Sequence, residues 1–212
     1  MIVKEVRLGW TAGTAKLSKR IRALDYARDE SGNRIPSMIN HVLLHFIFHN
    51  GPDMIVEALF DKGVTTSPFK HLQTALQDDR VLRLIEYVLP LDEDALGAIW
   101  TAAEAFHGKG YDKRLLILYL IWGRYFGKSK FADFIFRLDD PDRFTCNETA
   151  VGILAGRIPQ IPIDAPKAFT PEGLFLAVLG MSSPIYCGHF LTPGTKHLIQ
   201  IGDPALTPPT IA

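Results

Sequence analysis

The chain has 212 residues and a mass of 23.6 kDa, a length that suits one large domain better than two. Its 23 basic and 23 acidic side chains give a formal net charge of zero, which argues against a protein that follows nucleic-acid phosphates. Apolar residues make up 47% of the chain, which is enough for a buried core and too many for an intrinsically disordered protein.

The first half of the sequence predicts one helix followed by three strands. Residues Thr14 to Asp25 carry apolar side chains at helical spacing among basic ones, as a short amphipathic helix does. Residues Ile39 to Phe48 are rich in β-branched and aromatic side chains and indicate a strand. A turn at Asn50 to Asp53 separates this strand from a second, Met54 to Phe60. Val81 to Val88 is the third predicted strand.

Helices dominate the prediction after the third strand. Asp92 can cap a helix whose apolar stripe runs to Phe106 and ends before Gly108. Leu115 to Phe126 is apolar almost all round, and its length favours a buried helix over a strand. A Thr-Pro-Glu start at residues 170–172 predicts one more short helix, to about residue 179.

This element order predicts an α+β domain in which strands are segregated from helices. Nine of the fourteen prolines follow Arg157. Because proline lacks an amide donor and fixes φ, the tail should consist of loops, turns and short elements. We therefore expect one domain over residues 1–180 and a proline-rich extension over residues 181–212 that packs on the same domain.

The segment around Cys146 has the pattern of a reactive thiol at a helix start. Thr145 and Glu148 have the spacing of a capping box, in which each side chain binds the other residue's amide. Cys146 then occupies the first helical position, where the positive end of the helix dipole stabilises a thiolate. The alternative is that Cys146 is a small buried residue that happens to lie near a helix start.

The two strands before and after the turn at Asn50 could supply a base and its orienting group. His41 and His45 share one face of the first strand, and Glu57 lies on the second. A hairpin would set Glu57 opposite His41 or diagonal to it, within side-chain reach. The carboxylate could then fix the imidazole tautomer while the other ring nitrogen faces the thiol. The alternative is a core histidine with its own partner and a glutamate that faces water, and these residues alone leave both open.

Several short segments follow one another in a recognisable order. The chain has LSKRIRALD, then INHV around His41, then VEALFDKGV around Glu57. Later it has GYD at residues 110–112, TCNE at 145–148 and TPEGL at 170–174. In this order the segments resemble the circularly permuted branch of the papain-like, NlpC-type cysteine hydrolases (the YiiX-like group). The usual elements of that family are a basic stretch with an Ile-Arg pair, a Ser-His-Val strand and a Glu-Ala strand followed by Gly-Val. A Tyr-Asp element, a Cys-Ser-Glu helix start and a Thr-Pro-x-x-Leu segment complete the pattern.

The resemblance implies a papain-like α+β fold with a small antiparallel sheet packed against helices. The histidine strand would precede the cysteine helix, which reverses the order in papain. The resemblance also assigns a site: Cys146 as nucleophile, His41 as general base, Glu57 as third polar member and Tyr111 as a substrate-binding residue near the thiol. The sequence departs from the family at two positions, since Asn40 and Asn147 stand where serine is usual.

Other signals favour ordinary structural roles. His41, His45 and His49 recur every four residues, but their segment reads as a strand, so we expect no metal site and no cofactor. The pair Cys187 and His189 is too small a ligand set to indicate a metal. Gly9 to Gly13 lacks the glycine spacing of a phosphate loop. The basic residues of the first predicted helix fit a solvated face, so we expect no nucleic-acid partner.

The sequence predicts neither a membrane span nor a disulfide framework. The longest apolar run, Leu115 to Trp122, is far shorter than the roughly 20 residues needed to cross a bilayer. The N-terminal segment MIVKEVRLGW lacks the apolar core of a secretory signal, and two cysteines favour a reducing compartment. We therefore expect a cytoplasmic protein, although phage-encoded or otherwise delivered proteins lack such a signal too.

Residues and resemblance together predict a cysteine hydrolase that works through an acyl-enzyme. The resemblance alone implies the substrate, an amide bond in a peptide or a peptidoglycan-stem-like fragment. One alternative is a lipid acyltransferase or thioesterase that uses the same triad. The other is a catalytically inactive structural or binding module of phage or cell-envelope origin. The sequence leaves the substrate and the oligomeric state open.

Overall fold

The computed structural model describes residues 1–24, 26–28, 34–36, 39–89, 91–117, 142–157, 174, 185–190 and 199–201. Its first elements are β1 (Val3–Gly13), α1 (Lys16–Leu24), β2 (Tyr26–Arg28), β3 (Arg34–Pro36), β4 (His41–Phe48), β5 (Met54–Leu59), β6 (Gly63–Pro68) and α2 (Phe69–Gln77). They are followed by β7 (Val81–Val88), α3 (Glu93–Phe106), β8 (Gly110–Tyr111), β9 (Arg143–Phe144), α4 (Cys146–Leu154), β10 (Ile185–Phe190) and β11 (Ile199–Ile201). Among these residues, no helix has the length and apolar character to cross a membrane.

Seven of the strands form one sheet, in the order β11-β10-β7-β1-β4-β5-β6. Every neighbouring pair in it is antiparallel, and the helices pack against the sheet, so the chain has an α+β fold. Two further pairs stand apart: β2 with β3, and β8 with β9 in parallel. The strands β10 and β11 extend the sheet beyond β7, so two segments of the proline-rich tail belong to it.

β1 is the central strand of this sheet, and no strand was expected before residue 14. Its apolar residues alternate: Val6, Leu8 and Trp10 are completely buried in the larger core. The residues between them, such as Gly9, face the other side of the sheet. A Cβ atom at Gly9 would meet the side chain of Leu43 at 2.7 Å, so glycine lets the neighbouring side chains close over the strand.

The hydrophobic core lies on both faces of the sheet. On one face, side chains of α3 and α4 pack against alternate residues of β1 and β4 in a single large cluster. On the other face, Leu72 and Leu76 of α2 pack against Leu43, Ile55 and Leu84. Helices therefore cover both faces of the sheet, and α4 packs on the same face as α3.

Most predicted elements are present with small differences in their ends. The amphipathic helix, the three strands and the helix capped by Asp92 are confirmed as α1, β4, β5, β7 and α3, and the Asp92 carboxylate accepts a hydrogen bond from the Ala95 amide at 2.8 Å. The expected segregation of strands from helices is wrong, because β1 precedes α1 and α2 lies between β6 and β7. Helical residues at 113–117 begin the helix predicted near Leu115, and its remainder lies outside the described residues. Of the helix predicted at 170–179, the structure describes only Leu174, which is helical and buried.

Candidate active site

The helix α4 begins at Cys146, as predicted, and the capping box is present. The Thr145 hydroxyl accepts a hydrogen bond from the Glu148 amide at 3.4 Å. In return the Glu148 carboxylate accepts one from the Thr145 amide at 2.7 Å. The two bonds fix the helix start, so the Cys146 sulfur lies at the positive end of the helix dipole.

The body of α4 supplies a rigid support for the thiol. Ala150, Val151 and Leu154 are buried in the larger core. A Cβ atom at Gly152 would lie 2.8 Å from the Phe106 ring, so glycine lets α4 approach α3 closely at this point. Cys146 itself is only 7% exposed, and the packing behind it fixes its position relative to the sheet.

A hairpin of β4 and β5 brings His41 and Glu57 together. The register pairs Leu43 with Glu57, so Glu57 lies diagonal to His41, one of the two positions predicted. Its carboxylate oxygen Oε2 is 2.7 Å from His41 Nε2. Both side chains are largely buried, with exposed fractions of 18% for His41 and 13% for Glu57. Their contact therefore fixes the imidazole ring and leaves Nδ1 as its other hydrogen-bonding atom.

Asn40 holds the backbone next to His41 in place. Its amide donates to the Thr11 carbonyl oxygen at 2.9 Å, and its side-chain oxygen accepts from the Gly13 amide at 2.8 Å. These bonds tie the start of β4 to the end of β1. In the sequence, Asn40 stands out only because the resembled family usually has serine there, whereas the structure gives it a positioning contact.

Cys146 and Glu57 both act on the pKa of His41. Burial lowers this pKa, but the charge of the Cys146 thiolate and hydrogen bonding with it act in the opposite direction. The hydrogen bond and charge of Glu57 add to them, and together the two residues raise the pKa of His41 to about 10. Cys146, His41 and Glu57 thus meet in one site, and its electrostatics favour the imidazolium form of the histidine.

Tyr111 lies beside the thiol through the pairing of β8 with β9. Its backbone pairs with Phe144, two residues before Cys146. Burial and the negative charges of Cys146, Glu148 and Asp112 raise the pKa of Tyr111 well above its usual value. The phenol therefore keeps its proton and can donate a hydrogen bond in the site.

Gly63 permits the approach of the segment that carries Tyr111. It has a φ of +74°, and a Cβ atom there would lie 2.2 Å from the Lys109 carbonyl oxygen. That same oxygen accepts a hydrogen bond from the Val64 amide at 2.7 Å. The Gly-Val pair therefore has a physical role, since it joins β6 to the chain just before Tyr111.

His45 belongs to a different cluster. Its Nδ1 atom is 2.8 Å from a Glu86 carboxylate oxygen, and its ring stacks on Phe69 with centroids 4.0 Å apart. The other Glu86 oxygen pairs with Arg7 at 3.2 Å. Within the described part of the chain, no three His, Cys, Asp or Glu side chains are grouped as metal ligands. Cys187 lies opposite Glu86 in the register of β10 with β7.

Asn147, the other departure from the family pattern, is buried beside the thiol. Its side-chain oxygen lies 3.8 Å from Cys146 Sγ.

Comparison with known proteins adds nothing to this geometry, since no protein-family model and no curated protein matches the chain.

Proposed function

We propose that the protein is a cysteine hydrolase of the permuted papain-like type that cleaves an amide bond in a peptide or a peptidoglycan-stem-like fragment. The observation that carries the proposal is the position of His41 between two partners, the Glu57 carboxylate at 2.7 Å and the Cys146 thiol that raises its pKa. Thiol-dependent acyl transfer requires a nucleophile, a base and a group that orients the base, placed next to one another.

The reaction would begin with proton transfer from the Cys146 thiol to His41. The thiolate sulfur attacks the carbonyl carbon of the amide, and the carbonyl oxygen becomes an oxyanion. The Cys146 amide, at the start of α4, has no acceptor within the helix and can donate to that oxyanion. The C–N bond then breaks as the His41 imidazolium gives its proton to the leaving amine, which leaves an acyl group on sulfur.

Hydrolysis of the acyl-enzyme would reverse these roles. His41 takes a proton from a water molecule, whose oxygen attacks the thioester carbon, and the Cys146 sulfur leaves and is reprotonated. Glu57 holds the ring through Nε2 in both half-reactions, so Nδ1 is directed at the sulfur and then at water. Tyr111, which keeps its phenolic proton, is placed to donate a hydrogen bond to the substrate.

The pH dependence of Cys146 alkylation tests this proposal. All proteins would carry Cys187→Ser, because the chain has two cysteines and this change leaves Cys146 as the only thiol. The hydrolase predicts fast reaction with iodoacetamide that persists to acidic pH and slows sharply in His41→Ala. His71→Ala, on the exposed side of α2, is the matched control and should react as the parent does.

An inactive module predicts a different result. Cys146 would then react at the rate of an ordinary thiol, and the rate would be the same with and without His41. Circular dichroism of His41→Ala would verify that the fold is intact, so equal rates in folded proteins would overturn the proposal.

A further inference from the structure

A lysine lies at the outer edge of the candidate site, held there by aromatic rings. The rings of Phe60 and Tyr111 have centroids 5.7 Å apart. The Lys113 ammonium lies over the Phe60 ring, 4.7 Å from its centroid, in a cation–π contact. The charge of Cys146 acts on the Tyr111 phenol. Tyr111 and Phe60 therefore link the thiol to the exposed positive charge of Lys113.

Of the residues that the structure describes, the two buried carboxylates near Tyr111 do not pair with Lys113. The Asp112 carboxylate, 7% exposed, accepts a hydrogen bond from the Leu115 amide at 2.9 Å. The Glu148 carboxylate, 4% exposed, is used in the capping box of α4. Both acids are therefore directed inward to cap helices, whereas Lys113 faces solvent.

Lys113 is also free of ion pairs within the described parts of the chain. Asp61 and Lys62 are both exposed in the turn after Phe60 and offset each other in charge. Among the described residues, Lys113 thus presents a positive charge at this aromatic edge, although the whole chain is neutral.

We propose that Lys113, seated on Phe60 beside Tyr111, binds a carboxylate of the substrate next to the bond that Cys146 attacks. This inference rests on the proposed hydrolase function and names its substrate class, an amide whose flanking group carries a negative charge. The aromatic rings would pack against the apolar part of that group, and the ammonium would pair with its anion.

Two alkylating reagents that differ mainly in charge test this inference. Iodoacetate carries a carboxylate and iodoacetamide is neutral, and both react with Cys146 in the Cys187→Ser background. We expect Lys113→Gln to slow the iodoacetate reaction about two- to fivefold, as expected for loss of one surface charge near a reaction centre, and to leave the iodoacetamide rate unchanged. Lys113→Glu should slow the iodoacetate reaction further.

The control for charge alone is Lys4→Gln. Lys4 is exposed near the start of β1, whereas Thr11, which pairs with His41, lies near the other end of that strand. It should leave both rates unchanged, and added salt should reduce the effect of Lys113→Gln. An unchanged iodoacetate rate in Lys113→Gln, or an equal change with both reagents, would overturn the anion subsite. Failure of the hydrolase proposal has a separate signature, an iodoacetamide rate that does not depend on His41.

Discussion

Replacing Glu57 with glutamine should lower the pKa of His41 by about one to two units. Glutamine keeps an acceptor oxygen in the place of the one that lies 2.7 Å from His41 Nε2, but it removes the charge. A hydrogen bond to a charged partner contributes about 1.5–3 kcal/mol, and one pKa unit corresponds to about 1.36 kcal/mol. Since the pKa of His41 is raised to about 10 in the native site, the variant should titrate near pH 8 to 9.

NMR titration of the His41 ring nitrogens measures this change directly, with the resonances assigned from their loss in His41→Ala. The sign follows from the raised pKa: the native imidazolium persists as pH rises to about 10, and the variant should lose its proton earlier. Glu104→Gln, on the exposed face of α3, makes the same chemical change away from the site and should leave the titration unaltered. A shift below about half a unit in Glu57→Gln would refute the view that this carboxylate holds the charge on His41.

Four further predictions concern stability and can be measured by urea denaturation. Gly63→Ala should destabilise the protein by about 3 kcal/mol, because alanine is disfavoured at positive φ and its Cβ would clash with the Lys109 carbonyl. Gly97→Ala should instead stabilise the protein by about 0.5–1 kcal/mol, because Gly97 lies in α3 and a Cβ atom there would meet no other atom within 4 Å. A loss of stability in this variant would show that the helix is not as described. Thr145→Ala should lower stability by about 1 kcal/mol through loss of the cap and slow Cys146 alkylation, and Thr145→Ser should restore both. Glu86→Ala should cost about 3 kcal/mol, because it leaves the buried His45 without its hydrogen-bonded carboxylate and removes one of the two acidic partners of Arg7. Cys146 of the folded variant should still be alkylated at the parent rate, and a slower rate would link the two clusters.

The elements that could be predicted are those whose signals are local. Thr145 and Glu148 specify their own helix start because the capping box needs only residues three apart. The β4–β5 hairpin is equally local, and its short turn fixes which residues face each other. The contact of His41 with Glu57 follows from that register.

What could not be predicted depends on residues far apart in the chain. The period-two pattern of Val6, Leu8 and Trp10 in β1 is visible in the sequence, but Gly9 and Gly13 within it weakened the strand signal. β1 becomes a central strand because β4 and β7 pair with it on both sides. The pairing of His41 with Cys146 is also nonlocal. Periodicity does not say at which end of the sheet α4 begins, so the residues alone suggested this pairing but left it open.

The most direct test of the account is whether Cys146 raises the pKa of His41. NMR titration of the His41 ring nitrogens in Cys187→Ser, compared with the doubly substituted Cys146→Ser, Cys187→Ser protein, isolates the effect of this one sulfur. We predict a His41 pKa of about 10 when Cys146 is present and a clearly lower pKa when serine replaces it. The same His41 pKa in both folded proteins would contradict the pairing of sulfur and imidazole.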